Sequence, residues 1–306
     1  RVNDDTSGAS SDQSVQAVAA HRTNDISIAG AVSFGQSVGV GAASSVQVFD
    51  KEVFATIGDA DVNARNDIVL DADSTDNFVT IAAGVGIAPS QAGVAVTASV
   101  LDLNKTTLAS VGNGAVINGQ VANGASGQDV IVTALDETDS VGVAGAVGAG
   151  GQAGVGVGVD VQVITKETEA LIGVGADVTA VDHVLVEANS AEDMFSISAA
   201  GGVGGTAGVS GAVDVSVLNV TTRGAIQNNA TVLAGGSVVV AADDVSELDM
   251  ISGALAIGGT AGVGGAVGVP VVTKRTEAYI GNGATVDAKA NFGSVLVKTG
   301  DFGISF

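Results

Sequence analysis

The sequence predicts an all-β protein, an elongated β-solenoid or a rod of stacked β-hairpins, built from about five repeats of about 54 residues each. One phrase recurs along the chain, and apolar residues alternate with small or polar ones inside each copy. Glycine, at 45 of 306 residues, interrupts every apolar run. Each interior Gly would cost a helix about 1 kcal/mol relative to Ala. The period of two and the Gly interruptions therefore favour strands over helices.

The recurring phrase defines the repeat. Its copies are FATIGDADV from Phe54, LASVGNGAV from Leu108, EALIGVGADV from Glu169, RGAIQNNATV from Arg223 and EAYIGNGATV from Glu277. Their anchors lie at positions 58, 112, 173, 227 and 281, so three of the four intervals are equal and the one from 112 to 173 is longer. The longer interval predicts an insertion at residues 117–127, whose Asn, Gly and Ser are typical of a surface loop. Equivalent residues of successive repeats are expected to stack on one another.

Each repeat contains a signature typical of a β-hairpin. Residues 154–164 alternate Val with Gly or polar residues, residues 141–147 alternate in the same way, and the Gly-rich residues 148–153 join the two runs. Two shorter strands are expected downstream, at residues 177–180 and 184–188 of this repeat. Because aromatic residues make up only 3 % and Trp and Cys are absent, the interior is expected to consist of Val, Ala and Gly.

One Gly position is shared by all five copies. It is occupied by Gly39, Gly93, Gly154, Gly208 and Gly262. We expect these residues to lie where a Cβ does not fit or where the backbone needs a special φ.

The two ends of the chain look like parts of repeats. Residues 1–25 are predicted to be the tail of a preceding repeat, residues 26–300 five tandem repeats in one elongated domain, and residues 301–306 the start of a further repeat. Because terminal repeats usually need polar caps, we expect head-to-tail self-association into a fibre or a longer array.

Composition excludes several function classes. The net charge is −22, and only 11 Lys and Arg face 33 Asp and Glu, so nucleic acid is not an expected partner. The G-x-G-x-x-A matches at residues 148–153 and 202–207 precede predicted strands and not helices, so no nucleotide is expected either. The only histidines are His21 and His183, and neither HExxH nor G-x-S-x-G occurs. No catalytic, cofactor-binding or metal-binding residue is therefore assigned, and the chain is not expected to be an enzyme.

Two sets of charged residues recur at the repeat spacing. Asp139, Asp193, Glu247 and Asp301 predict a stacked acidic column, which is either a solvated loop edge or a site for Ca²⁺. The second set is Lys51, Lys105, Lys166 and Lys274, close to Glu52, Glu167 or Glu277. These lysines are predicted to lie on an exposed edge, where charge blocks unwanted sheet addition.

The Gly, Ala and Val pattern, together with the phrase KRTEAYIGNGATVD at residues 274–287, resembles the repeats of very large leukotoxin-type filamentous adhesins of bacteria. The resemblance extends over roughly residues 26–300. It implies secretion across the outer membrane, a β-helical rod and a role in adhesion or surface structure.

The expected function is that of an extracellular structural or adhesive fibre subunit, at the cell surface or in a matrix such as that of a biofilm, with a host or surface ligand as a further partner. Two alternatives stay open. Five hairpins would supply ten strands to an outer-membrane β-barrel, and Phe306 would be its terminal aromatic residue. A soluble β-helix that binds or acts on polysaccharides is the other.

Overall fold

The computed structural model, which describes residues 2–3, 9–119, 124–289 and 294–299, is all-β and consists of three parallel sheets. Sheet 1 contains, in spatial order, β1 (Val15–Phe34), β4 (Ile68–Ala88), β7 (Val130–Gly150), β10 (Val184–Gly204), β13 (Val238–Gly258) and β16 (Val295–Thr299). Sheet 2 contains β2 (Val38–Ile57), β5 (Ala92–Val111), β8 (Ala153–Ile172), β11 (Ala207–Ile226) and β14 (Ala261–Ile280). Sheet 3 contains β3 (Asp61–Val62), β6 (Val116–Ile117), β9 (Asp177–Ala180), β12 (Thr231–Ala234) and β15 (Thr285–Ala288).

The chain winds through the three sheets in turn, so that each strand pairs with its equivalent in the neighbouring coil. Val184, for example, has Val130 and Val238 as its register partners, one coil away on either side. Stacked parallel sheets of this kind are the arrangement of a β-solenoid. The described residues contain no helix that is long and apolar enough to cross a membrane.

The predicted β-hairpins are wrong. β7 pairs with β4 and β10, and β8 pairs with β5 and β11, so the two strands joined at residues 151–152 belong to different sheets. The Gly-rich turn reverses the chain between two facing sheets and not within one sheet. The turns themselves stack: the Gln152 amide donates to the Gln91 carbonyl oxygen, and the Thr206 amide donates to that of Gln152.

The prediction of two short strands per repeat is half right. Residues 177–180 form the short strand β9, but residues 184–188 are the first part of the long strand β10. In the same way, β1 continues through residue 25 without a break.

The connection from sheet 3 to sheet 1 is longest between β6 and β7. β6 ends at Ile117 and β7 begins only at Val130, whereas β9 ends at Ala180 and β10 already begins at Val184. Residues 120–123 of this connection lie outside the described residues, and so do residues 301–306, for which a further strand is predicted.

The described stack is wider than it is tall. A strand of 20 residues spans about 66 Å, since each residue advances about 3.3 Å. Five strands at about 4.8 Å spacing span only about 24 Å. The long dimension of the described unit therefore follows the strands, and a rod longer than this requires further coils along the stacking axis.

The interior narrows from one end of the long strands to the other. At the broad end, the start of sheet 1, the end of sheet 2 and sheet 3 enclose an apolar core that includes Ile68, Leu70, Val111, Ile117 and Val178. The middle contains buried polar and charged side chains and a smaller apolar cluster around Phe78 and Met194. At the narrow end, next to the Gly-rich turns, the two long sheets meet through glycine.

At the narrow end, glycine and not valine lines the interior. Gly154 and Gly156 are buried between the sheets, whereas Val155 and Val157 lie on the outer face of sheet 2. The shared Gly position is confirmed as crowded, because a Cβ there would lie 1.9–2.9 Å from a backbone oxygen of the facing sheet. None of these five glycines has a positive φ, so their requirement is space and not an unusual backbone conformation.

Candidate functional site

Sheets 1 and 2 enclose a column of alternating charges, which we call the buried ion ladder. Its members are Lys51, Asp76, Lys105, Asp136, Lys166, Glu192, Lys274 and Asp244, together with the bridging hydroxyl of Ser246. The lysines come from sheet 2 and the acids from sheet 1. The ladder therefore links the two facing sheets and also links each coil to the next.

The central part of the ladder is fully buried. Lys105 Nζ lies 2.8 Å from a carboxylate oxygen of Asp76 and 2.8 Å from one of Asp136, and these side chains are 0 % exposed. Lys166 Nζ lies 2.8 Å from Asp136 and 2.8 Å from Glu192. Lys166 also donates to two backbone carbonyl oxygens, each at 3.1 Å. Both ammonium groups thus bridge acids from two neighbouring strands.

The acids alternate between two adjacent inward positions of successive strands. Residues that are register partners in successive strands form a column. Asp76 and Glu192 lie in one such column, and Asp136 and Asp244 lie in the neighbouring inward column, two residues earlier in each strand. Each acid has a Ser or Thr at the other inward position; these are Ser74, Thr138, Ser190 and Ser246. Acids of neighbouring coils are therefore never directly stacked. Four lysines face four acids, so the ladder is formally neutral.

The outer end of the ladder differs from its centre. In β11, Val220 occupies the register position of Lys166 and Lys274, and no cation stands there. Ser246 fills this gap, since its hydroxyl contacts Glu192 at 2.5 Å and Lys274 Nζ at 2.6 Å. Lys274 then pairs with Asp244 at 2.7 Å.

The pKa shifts follow the density of cations along the ladder. Burial raises the pKa of Asp76, but the ion pairs with Lys105 and Lys51 outweigh burial, and the net pKa lies below its usual value. Glu192 behaves in the same way, with Lys166 as its cation, and its net pKa is also lowered. For Asp244, burial dominates over the single ion pair with Lys274 and raises the pKa to about 6.

A second buried polar cluster lies nearer the narrow end. Asp160 and Asp214 are register partners in sheet 2, and both are 0 % exposed. The Ser196 hydroxyl lies 2.6 Å from an oxygen of each carboxyl group. One hydroxyl can donate only one hydrogen bond, so both contacts are hydrogen bonds only if one carboxyl carries a proton and donates to Ser196. Burial raises the pKa of both acids, in agreement with a shared proton.

Both outer surfaces of the narrow half are apolar. We call the first apolar face 1; it consists of the outward residues of sheet 1 within 26–34, 79–87, 141–149, 195–203 and 251–257. These are Ile, Val, Leu, Phe, Ala or Gly at every position. Apolar face 2 consists of the outward residues of sheet 2 within 38–46, 92–100, 153–161, 207–215 and 261–269. They are Val, Ala or Gly except for Ser44.

The predicted exposed-edge position of the lysines is wrong for Lys105 and Lys166, whereas Lys274 is exposed on β14, the last strand of sheet 2, and Lys51 is half-buried. Lys105 and Lys166 are completely buried and not on an exposed edge. The alternation of sheet 1 contains a signal for this, because Asp76 and Glu192 share the parity of the core residues Leu70 and Val186. The nearby Glu52 and Glu167, on which the prediction rests, each directly follow a ladder lysine and therefore point outward while the lysine points inward.

The predicted acidic column does stack. Asp139, Asp193 and Glu247 are consecutive register partners on the outer side of sheet 1, and Asp301 lies outside the described residues. Within the described ranges, no group of three His, Asp or Glu side chains is placed to hold a metal ion. His21 is exposed, and His183 accepts a hydrogen bond from the Ser237 amide at 2.9 Å.

The fold and the ladder together define an all-β chain of stacked parallel coils whose interior contains a formally neutral ladder of ion pairs. Comparison of the chain with protein-family models, curated protein sequences and solved structures found no match.

Proposed function

We propose that this chain is a rigid structural or adhesive fibre element, located at the cell surface or in the extracellular matrix and built from about five stacked repeats. The buried ion ladder is the observation that carries this proposal. Removing a partner from a buried ion pair leaves an uncompensated charge, which costs about 3–5 kcal/mol. Ions that bridge adjacent coils therefore oppose any slip or separation of one coil from the next.

Rigidity also follows from the backbone pairing. The inner long strands, such as β7 and β8, are hydrogen-bonded along their whole length to a strand on each side. Such a stack bends or opens only if many hydrogen bonds break together. The resemblance to filamentous adhesin repeats supports the same function, with the acidic outer column available for contact with a host or surface ligand.

Head-to-tail stacking of copies is part of the proposal. Within the described residues, β14 pairs only with β11, and β16 covers only residues 238–242 of β13. An unpaired strand edge is a template for another strand of the same length. A further copy stacked here would extend the sheets along the axis and lengthen the unit into a rod.

Immunogold electron microscopy of intact cells tests the function. An antibody raised against the purified chain should label thin fibres on the outside of unpermeabilised cells, with an antibody to a cytoplasmic protein as the negative control. Purified fibres should diffract with a repeat of about 4.8 Å along their axis, because the strands run across it. Labelling only after permeabilisation, or compact single particles at every concentration, would contradict the proposal.

A further inference from the structure

We propose that apolar faces 1 and 2 form a lateral interface between copies of this chain, with face 1 of one copy lying on face 2 of the next. The inference goes beyond stacking along the axis, because it joins rods side by side. It concerns the outward residues of sheets 1 and 2, which take no part in packing the interior. It does not require the chain to be secreted or adhesive.

The size of the faces suits a stable interface. Five outward columns at about 6.6 Å and five strands at about 4.8 Å give about 800 Å² on each face, less the one corner of face 1 that Asp249 occupies. This is the area that each partner contributes to a typical specific complex, about 800 Å². It also exceeds the largest apolar patch of a typical monomer, about 300–600 Å². Several side chains are strongly exposed at the first coil, including Val32 at 80 % and Phe34 at 72 %.

The distribution of charge favours a second copy as the occupant. The outward acids of sheet 1, such as Asp139 and Asp193, and those of sheet 2, such as Glu52 and Glu167, lie outside the two faces, and only Asp249 of β13 stands at the border of face 1. Two copies can therefore meet without bringing like charges into the interface, although each carries a net charge of −22. An anionic lipid surface fits less well, because the faces have no basic border.

The relief of the two faces is complementary. Face 1 contains one column of the smallest residues, Gly30, Ala83, Gly145, Ala199 and Gly253. Part of this column lines a shallow apolar groove, with Val147 and Leu255 along one side of it. Face 2 contains one column that is Val in all five strands, Val40, Val94, Val155, Val209 and Val263, beside a column that is Ala in four of them.

A groove and a ridge with the same strand spacing can meet along their whole length. Five Val side chains of one copy would then face five Gly or Ala residues of the next, each pair repeating the one before. Another copy of this chain carries this spacing in every strand. Pairing unlike faces leaves one free face at each side, so the assembly is open-ended and forms layers of rods.

Sedimentation velocity on three double variants tests the interface. Val143→Lys/Ile197→Lys places charges on face 1, and Val155→Lys/Val209→Lys places them on face 2. The matched control, Thr165→Lys/Thr221→Lys, adds the same charges to the outward polar half of β8 and β11. Circular dichroism confirms that each variant is folded.

Stacking through the strand edges is intact in every variant, so the test concerns the larger species that form side by side. Wild type and control should associate laterally as concentration rises, whereas lateral association of each face variant should be more than about 100-fold weaker, because an unpaired buried charge is strongly unfavourable. Mixing the two face variants should restore a 1:1 complex, since one intact face 1 then meets one intact face 2.

Four results would overturn the inference. Self-association of either face variant at wild-type strength would mean that one face pairs with itself. An equal loss in the control would mean that added charge alone prevents association. Association that is the same in all variants and unaffected by mixing would show that the copies associate through their strand edges and not through the two faces. A wild type that stays monomeric but binds neutral phosphatidylcholine vesicles through these faces would make lipid the occupant.

Discussion

At the scale of single residues, the buried lysines are tolerated because each ammonium meets carboxylates from the facing sheet. Lys105 lies between Asp76 and Asp136, and Lys166 lies between Asp136 and Glu192. Replacing a whole buried ion pair by apolar residues is often neutral, whereas removing one partner is not. The ladder therefore specifies which coil positions may stack, because a slip along the strand would leave several charges unpaired.

Lys105→Met tests this role. The substitution keeps the length of the side chain but removes the cation between Asp76 and Asp136, so the free energy of unfolding should fall by about 3–5 kcal/mol. Lys289→Met is the control, because Lys289 is 60 % exposed and lies 3.6 Å from Asp287. The control should change stability by less than about 1 kcal/mol in urea denaturation. A similar fall in the free energy of unfolding of both variants would show that the ladder stabilises the fold no more than an exposed ion pair does.

The paired acids Asp160 and Asp214 predict a dependence on pH. Burial raises the pKa of Asp160, so the folded chain binds its proton more tightly than the unfolded chain does. The stability from this group is present below the ordinary Asp pKa of about 3.9 and is lost as the pH rises through the raised value. Asp160→Asn should therefore stabilise the chain at pH 8 and should lose this advantage near pH 3.

The comparison requires urea denaturation of both chains across the pH range. Asp139→Asn, on the exposed acidic column, controls for the loss of one negative charge. If the stability curves of wild type and Asp160→Asn run parallel from pH 3 to pH 8, the two buried acids do not share a proton.

At the scale of the strand, the glycines of β11 differ in the direction in which an added Cβ would point, towards the facing sheet or towards solvent. A Cβ on Gly208 would lie 2.2 Å from the Ile257 carbonyl oxygen, whereas nothing lies within 4 Å of a Cβ on Gly211. Gly208→Val should destabilise the chain by about 1–3 kcal/mol or more, because the facing backbone cannot retreat. Gly211→Val, on the outer face of the same strand, should be neutral or slightly stabilising. Equal melting temperatures for the two variants would place Gly208 in open space.

The strand scale also shows what the sequence could and could not predict. The period of two in residues 154–164 correctly predicts a strand, and the recurrence of Gly154 and Gly208 correctly predicts a crowded position. Alternation cannot tell which face is buried when Val and Gly alternate, because either can line an interior. Nor does a Gly-rich turn reveal whether it reverses the chain within one sheet or between two, since both need only a tight reversal.

For the buried ion ladder, the sequence shows the recurring lysines but does not show which acids they pair with. The recurrence of Lys51, Lys105 and Lys166 is visible at the repeat spacing. Their partners alternate between two neighbouring inward positions, so they do not recur in a single column. Recognising them requires the facing of sheets 1 and 2, which depends on contacts between strands that are adjacent in the chain but not hydrogen-bonded to each other.

At the scale of the whole molecule, the chain is a wedge with three regions. The broad end is held by the apolar core, the middle by the buried ion ladder and the paired acids, and the narrow end by close contact of two Gly-lined sheets. Solvent-facing charge is concentrated beside the broad half, and the apolar faces cover the narrow half. Stacking along the axis would make a fibre of such wedges, and contact through the faces would join fibres into layers.

The central claim is that equivalent strands stack in parallel and that chain-adjacent long strands do not pair. Cysteine cross-linking tests it directly, because the chain contains no native Cys. Thr165 and Asn219 are register partners on the outer side of β8 and β11. Thr138 and Thr165 would instead be opposite each other if β7 and β8 formed a hairpin around residues 151–152.

Two double variants are compared under mild oxidation or with a short bismaleimide, after circular dichroism has shown that both are folded. The structure predicts rapid cross-linking of Thr165→Cys/Asn219→Cys. It predicts none for Thr138→Cys/Thr165→Cys, because Thr138 is buried inside and Thr165 points outward. Cross-linking of the second pair and not of the first would contradict the stacked parallel coils, and with them the ladder and the proposed fibre.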